Sequence, residues 1–185
     1  YNEALTAFDQ ALELRPDDDA AQANKGVALA RMERYDEALA AFDRALKLRP
    51  DDPSTHQSRG NALGGLGHYT EALAAYDRAL ELRPDDPSTH NNRGIVLGGL
   101  ERYDEALVAF DSALALQVDP QQEDAGTQHN KGVALVRLER YEEALAAFER
   151  ALSLRADAPY TQAGRGVALV NRCASAGPHA GCRRW

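Results

Sequence analysis

The sequence predicts an all-α fold of about ten helices, arranged as consecutive antiparallel pairs. Residue types recur with a period of 34 positions along most of the chain. Within each period, apolar residues follow the spacing of one helix face. No segment alternates apolar and polar residues with a period of two, so we expect no sheet.

Three columns of identical residues define the period. They are Gly26, Gly60 and Gly94; Tyr1, Tyr35, Tyr69 and Tyr103; and Ala4, Ala38, Ala72 and Ala106, and they resume at Gly132, Tyr141 and Ala144 after four additional residues. We predict complete units at 19–52, 53–86, 87–124 and 125–158, a second helix alone at 1–18, a first helix alone at 159–172, and a tail at 173–185. The four-residue insertion lies in VDPQQED at 118–124 and is expected to lengthen the loop before the fourth unit.

Each unit contains two predicted helices. In the first unit, a second helix over about residues 36–48 carries an apolar stripe of Tyr35, Ala38, Leu39, Phe42, Ala45, Leu46 and Leu48. A shorter first helix precedes it. The segment RPDD recurs at 15–18, 49–52 and 83–86, where proline ends one helix and the following aspartate can cap the next.

Composition restricts the class of protein. The net charge is −8, with 29 acidic and 21 basic residues, which argues against a nucleic-acid partner. No apolar run reaches the roughly 18 residues of a membrane span. We therefore expect a soluble protein without membrane insertion, located in the cytoplasm, and the start at Tyr1 suggests a fragment of a longer protein.

The sequence lacks the motifs that usually mark an enzyme active site. It has no phosphate loop after a strand and no Ser or Cys nucleophile beside a His base, so we predict neither an enzyme nor a cofactor. His56 and His90 occupy equivalent positions on helices expected about 8–10 Å apart, too far to share one zinc ion. Cys173, His179 and Cys182 lack a paired C-x2-C start and are predicted to be tail residues without metal.

The repeated residues resemble a known family. Gly26, Leu29, Ala38, Phe42, Ala45 and Pro50 fall where the tetratricopeptide repeat pattern places glycine, an aromatic, alanine, an aromatic, alanine and proline. The chain resembles this family over about residues 1–172. The resemblance implies a right-handed α-solenoid whose first helices line a concave groove for a peptide or protein.

The family's ligand positions map onto a mainly polar set of residues. They are Asn24, Val27, Arg31, Gln57, Ser58, Asn61, Asn91, Asn92, Ile95, His129, Asn130, Val133 and Arg137. None is acidic, and asparagine can both donate to and accept from a peptide backbone. We therefore predict a non-catalytic scaffold that binds a peptide in this groove, the alternative being polar residues that are merely tolerated on a solvated surface.

Two glycine pairs interrupt the first helices. Gly64-Gly65 and Gly98-Gly99 lie at equivalent positions near helix ends, where the usual cost of about 1 kcal/mol per glycine is reduced. They are either simply tolerated or form a recess in the groove, flanked by Arg31 and Arg137.

A column of cations departs from the family pattern, which has leucine there. It comprises Lys25, Arg59, Arg93, Lys131 and Arg165. We predict ion pairs with an acidic column on the second helices, namely Asp9, Asp43, Asp77, Asp111 and Glu149.

The two unpaired helices are complementary. The helix at 1–18 carries Leu5, Phe8 and Leu12, which in a complete unit would pack against a first helix. The helix at 159–172 carries Gly166 and Leu169, which would pack against a second helix. One hypothesis is a homo-oligomer that polymerises head to tail. The alternatives are a tail that folds back, flanking repeats outside this sequence, or a regulatory segment of a larger enzyme.

Overall fold

The computed structural model describes residues 1–117 and 124–175. Within these ranges it contains helices and no strand, as predicted. The helices are α1 (Asn2–Leu14), α2 (Asp19–Arg31), α3 (Tyr35–Leu48), α4 (Pro53–Gly65), α5 (Tyr69–Leu82), α6 (Pro87–Gly99), α7 (Tyr103–Ala115), α8 (Ala125–Arg137), α9 (Tyr141–Leu154) and α10 (Pro159–Ser175). We call the even-numbered helices first helices and the odd-numbered helices second helices.

The last described helix is longer than predicted. It was expected to end at residue 172, but α10 continues through Ser175. Residues 173–175 contain neither glycine nor proline, so nothing in their backbone chemistry stops the helix there. Residues 118–123 of the insertion lie outside the described part of the chain, and the prediction for that loop stays a prediction.

The chain divides into two compact units, Tyr1–Val96 and Leu97–Trp185, with the boundary inside α6. In the first unit α1 packs on α2, α2 on α3, α3 on α4, and α4 on α5. In the second unit α7 packs on α8, α8 on α9, and α10 on both α8 and α9. Because short turns connect α2 to α3, α4 to α5 and α8 to α9, each of these pairs is an antiparallel helix hairpin.

Aspartate side chains start several first helices. The carboxylates of Asp18, Asp52 and Asp124 accept hydrogen bonds from backbone N–H groups of the first turn at 2.8–2.9 Å. Each bond satisfies a donor that has no partner within the helix. The predicted role of the aspartate in the RPDD segments is thus confirmed at Asp18 and Asp52.

The core of each helix pair forms where an aromatic ring covers a glycine. Phe42 is fully buried, and a Cβ at Gly26 would lie only 2.5 Å from its Cε1 atom. The same contact recurs between Tyr76 and Gly60 and between Phe148 and Gly132. Only glycine permits this approach, which explains the glycine column.

The predicted apolar stripe is wrong at one position. Leu48 is 45 % exposed, although Ala38, Phe42 and Ala45 on the same helix are buried. Leu48 is the last residue of α3, at the point where the chain turns away from the packed helices. The buried stripe therefore ends before it.

Candidate functional site

The first unit carries most of the predicted groove residues on its first helices. Asn24 on α2 and Asn61 on α4 are exposed, and Gln57, Asn91 and Asn92 are half-buried. Arg31 is the last residue of α2 and is exposed. The structure thus leaves these polar side chains accessible to a ligand.

Hydrogen bonds join the amides of α4 and α6. Asn61 Oδ1 accepts from Tyr76 Oη at 2.7 Å and from Asn92 Nδ2 at 3.0 Å. Asn91 Nδ2 donates to Asn92 Oδ1 at 3.4 Å, and Gln57 Nε2 donates to Ser88 Oγ at 2.6 Å. Both bonds to Asn61 use its oxygen, so its Nδ2 group is left as a donor.

Sequence reasoning missed Tyr76 as a member of this network. Burial raises the pKa of its phenol well above the usual range, so the hydroxyl stays protonated and donates. The equivalent residues Phe42, Phe110 and Phe148 carry no hydroxyl. This departure from phenylalanine is the signal in the sequence that marks Tyr76.

The glycine pairs differ in what surrounds them. A Cβ at Gly65 would lie 2.7 Å from Tyr35 Cζ, whereas one at Gly64 would make an ordinary 3.7 Å contact with Val96 Cγ2. A Cβ at Gly98 would meet no atom within 4 Å. The Tyr35 ring thus lies beside Gly65, and the hypothesis of a recess at the glycine pairs stays a prediction.

A recess of about 420 Å³ lies between α2 and α4. Its wall includes Val27, Arg31, Tyr35, Ser58 and Asn61. Four of the predicted groove residues therefore share one concave surface in the first unit.

A second recess, of about 440 Å³, lies between α8 and α10. Residues lining it include Val133, Val136, Arg137, Glu139, Gly164 and Val167. His129 does not belong to it. The His129 ring lies 5.7 Å from the Phe148 ring, its Nδ1 is 3.1 Å from Thr161 Oγ1, and burial lowers the pKa of the imidazole. Asn130 is half-buried on α8.

The predicted ion pairs between the two columns are all present. Lys25–Asp9, Arg59–Asp43, Arg93–Asp77, Lys131–Asp111 and Arg165–Glu149 have N···O distances of 2.6, 2.8, 2.7, 2.6 and 3.4 Å. Each joins a first helix to the second helix before it. The cations therefore have a structural partner in every case.

The two equivalent histidines contact backbone instead of each other. The Nε2 atoms of His56 and His90 lie 2.8 Å from the carbonyl oxygens of Pro50 and Pro84. Each ring thus binds the turn that precedes its helix. Among residues 1–117 and 124–175, no group of three or more His, Cys, Asp or Glu has an arrangement suited to a metal ion. His179 and Cys182 lie outside those residues.

Comparison with protein families decides the assignment. Models described as tetratricopeptide repeat match residues 1–53 and 85–157, and a model described as TPR repeat matches residues 65–100. This chain belongs to the tetratricopeptide repeat (TPR) family. The predicted resemblance is thereby confirmed. A comparison with curated protein sequences finds no match.

Solved TPR structures share the fold. YrrB, described as a TPR protein with an unusual peptide-binding site, is 23 % identical, with a TM-score of 0.74 over 90 % of this chain and 84 % of that chain. MamA from Desulfovibrio magneticus RS-1 is 24 % identical, with a TM-score of 0.77 over 85 % of this chain and 88 % of that chain. TTC0263, a thermophilic TPR protein of Thermus thermophilus, is 22 % identical, with a TM-score of 0.71 over 92 % and 91 % of the two chains. These likenesses confirm the predicted all-α solenoid.

The helices α1 and α10 have incompletely buried packing residues. Phe8 on α1 is half-buried, whereas the equivalent Phe42 is fully buried. On α10, a Cβ at Gly166 would meet no atom of the described residues within 4 Å, unlike its equivalents Gly26, Gly60 and Gly132. Leu5, Leu12 and Leu169 are also half-buried.

No helix in the described part of this TPR chain is long and apolar enough to cross a membrane.

Proposed function

We propose that this TPR chain is a non-catalytic scaffold that binds an extended peptide segment of a protein partner along its first helices. The observation that carries the proposal is the amide network of Asn61, Asn92 and Asn91 on α4 and α6. It fixes the orientation of side chains that can bond a peptide backbone. Ordering before binding lowers the entropic cost of association.

The charge of these residues supports a peptide with acidic groups. Arg31 is exposed at the end of α2, and the predicted groove residues include no aspartate or glutamate, in a chain whose net charge is −8. A guanidinium binds a carboxylate through paired hydrogen bonds. YrrB, which shares the fold, is described as having a peptide-binding site, and this adds support by analogy.

Selection from a displayed library of random peptides tests the proposal. Peptides selected on the wild-type chain are expected to bind Asn92→Ala/Asn130→Ala and Arg31→Ala variants at least about tenfold more weakly, since each lost contact to a charged or amide group contributes roughly 1–3 kcal/mol. Arg44→Ala is the matched control, because Arg44 is exposed on the second helix α3. Equal loss in the control, or no loss in the groove variants, contradicts the proposal.

A second candidate function is head-to-tail self-assembly. Interior repeats bury an aromatic ring against a glycine, and α10 has an uncovered glycine at Gly166 while α1 has the incompletely buried Phe8. A second copy of the chain would supply each with its missing partner. Leu169 beside Gly166 and Leu5 and Leu12 beside Phe8 would enlarge the apolar contact. Such an interface joins two different surfaces and can propagate.

A mixing experiment tests this second candidate. Phe8→Ala and Gly166→Leu variants should each be monomeric by light scattering, yet form a dimer when mixed, because each retains one intact surface. Ala163→Leu, at an exposed position of α10, serves as the control and should assemble like the wild type. A wild-type chain that stays monomeric at high concentration contradicts self-assembly. The Asn92→Ala/Asn130→Ala variant should keep the wild-type oligomer size.

Three further statements remain predictions from composition and motifs: a cytoplasmic location, no nucleic-acid partner, and no cofactor. A regulatory role within a larger enzyme is the remaining alternative for the function.

A further inference from the structure

The recesses of the two units are built from equivalent repeat positions but differ in chemistry. Val27 and Arg31 in the first unit correspond to Val133 and Arg137 in the second. In the next first helix, however, Ser58 and Asn61 of α4 are replaced by Gly164 and Val167 of α10. At these two positions the second recess is apolar where the first is polar, although Tyr141 and Asn171 also line the second recess.

The recess between α8 and α10 suits a neutral apolar group. Val133 and Val167 are 40 % and 52 % exposed, so a ligand that covers them removes apolar surface from water. The mouth contains both Arg137 and Glu139, whose formal charges cancel. A charged side chain would lose hydration there without gaining a net opposite charge.

Gly164 lets the Phe148 ring lie close to the backbone of α10. A Cβ at that position would lie 2.9 Å from two ring atoms of Phe148, so the buried aromatic ring approaches the helix backbone directly. Phe148 lines this recess as Phe42 lines the first, but Gly164 carries no side chain where the first recess has Ser58.

We propose that the recess between α8 and α10 is a specificity subsite for one branched aliphatic side chain, leucine, isoleucine or valine, of a peptide bound by this scaffold. The inference rests on the proposed peptide-binding function and names the chemistry that the second unit selects. In the first recess, Asn61 occupies the position of Val167.

Methyl NMR with two small probes tests the subsite directly. N-acetyl-leucinamide should shift the methyl signals of Val133, Val136 and Val167, whereas N-acetyl-asparaginamide, of similar size and shape, should not. Val167→Asn introduces the residue type found at the equivalent position, Asn61. It should lower the affinity for N-acetyl-leucinamide about tenfold, which is the lower end of the range for losing an apolar contact in a pocket. Val170→Asn is the matched control, since Val170 is 68 % exposed on the same helix and does not line the recess.

Equal binding of the two probes, unshifted valine methyls, or equal loss in both variants overturns the subsite. Val167→Ala provides a second variant, because it shortens the side chain without introducing an amide, and it should give a smaller loss than Val167→Asn.

Library selection separates this inference from the proposed function. Selected peptides that bind the groove but show no aliphatic preference, and no change with Val167→Asn, refute the subsite and leave peptide binding intact. A leucine probe that binds the recess while no library peptide is selected refutes the peptide-binding function instead.

Discussion

Tyr35 lies against Gly65 so closely that a Cβ on the glycine would be 2.7 Å from the tyrosine Cζ atom. Tyr35 begins α3 and Gly65 ends α4, so the contact joins a second helix to the first helix of the following repeat. Gly98, at the position equivalent to Gly64, has open space where its Cβ would lie. The glycine pairs therefore contain both a packing requirement and an unfilled position.

Alanine substitution should distinguish the two kinds of glycine. Gly65→Ala is expected to lower the free energy of unfolding by about 1–3 kcal/mol, because the half-buried Tyr35 ring must move. Gly98→Ala should leave it unchanged or raise it by up to about 1 kcal/mol, since alanine loses less backbone entropy in a helix. Urea denaturation of both variants measures the difference, and a Gly65→Ala variant as stable as Gly98→Ala contradicts the packing explanation.

The hydroxyl of Tyr76 should depend on Asn61. Asn61→Ala removes the acceptor of a buried donor and is expected to cost about 1–3 kcal/mol of unfolding free energy. The double variant Asn61→Ala/Tyr76→Phe should recover most of this loss, because phenylalanine occupies the equivalent positions 42, 110 and 148 without needing an acceptor. Denaturation of both variants provides the comparison. No recovery in the double variant would show that Asn61 acts by another route.

The contacts of Tyr35 with Gly65 and of Asn61 with Tyr76 could not be predicted from the sequence. The period and the apolar spacing were sufficient for the helices and the ion pairs, because both depend on residues at fixed sequence separations. Which ring fills the space beside Gly65 depends on the packing of two successive repeats. Asn61 could be predicted as a groove residue from its position, but its bond to Tyr76 required the orientation of both side chains.

The two recesses could not be predicted from the sequence either. The positions of Arg31 and Arg137 were identified, but the difference between Asn61 and Val167 acquires meaning only when both prove to line equivalent walls. His129 was assigned to the groove from its position, and the structure places it beside Phe148 and Thr161.

The pair of Arg93 and Asp77 should contribute modestly to stability. A double-mutant cycle with alanine at both positions is expected to give a coupling energy of about 0.2–1 kcal/mol, because both side chains are partly exposed. The coupling should shrink in concentrated salt. A cycle between Arg93 and Asp43 is the control and should give no coupling, since Asp43 pairs with Arg59. Equal coupling in the two cycles would contradict a direct interaction.

Acidification should destabilise the second unit through His129. Burial lowers the pKa of this imidazole, so the unfolded chain, with an ordinary value near 6.5, binds the proton more readily. Neutral His129 contributes fully to the free energy of unfolding above pH 6.5. This contribution is lost as the pH falls from 6.5 toward the lower pKa of the folded state. An NMR titration should place the pKa below 6.5, and His129→Gln should reduce the fall in unfolding free energy over this range. A value at or above 6.5 would contradict the burial argument.

The paired cations and acids lie closer together in the sequence than one repeat period. Lys25–Asp9, Arg59–Asp43 and Arg93–Asp77 each span 16 residues, less than one period. Lys131 still contacts Asp111 at 2.6 Å although four inserted residues separate their repeats further. A gene duplication that copies one period therefore supplies every new cation with its acid, and the array can be extended without a compensating mutation elsewhere.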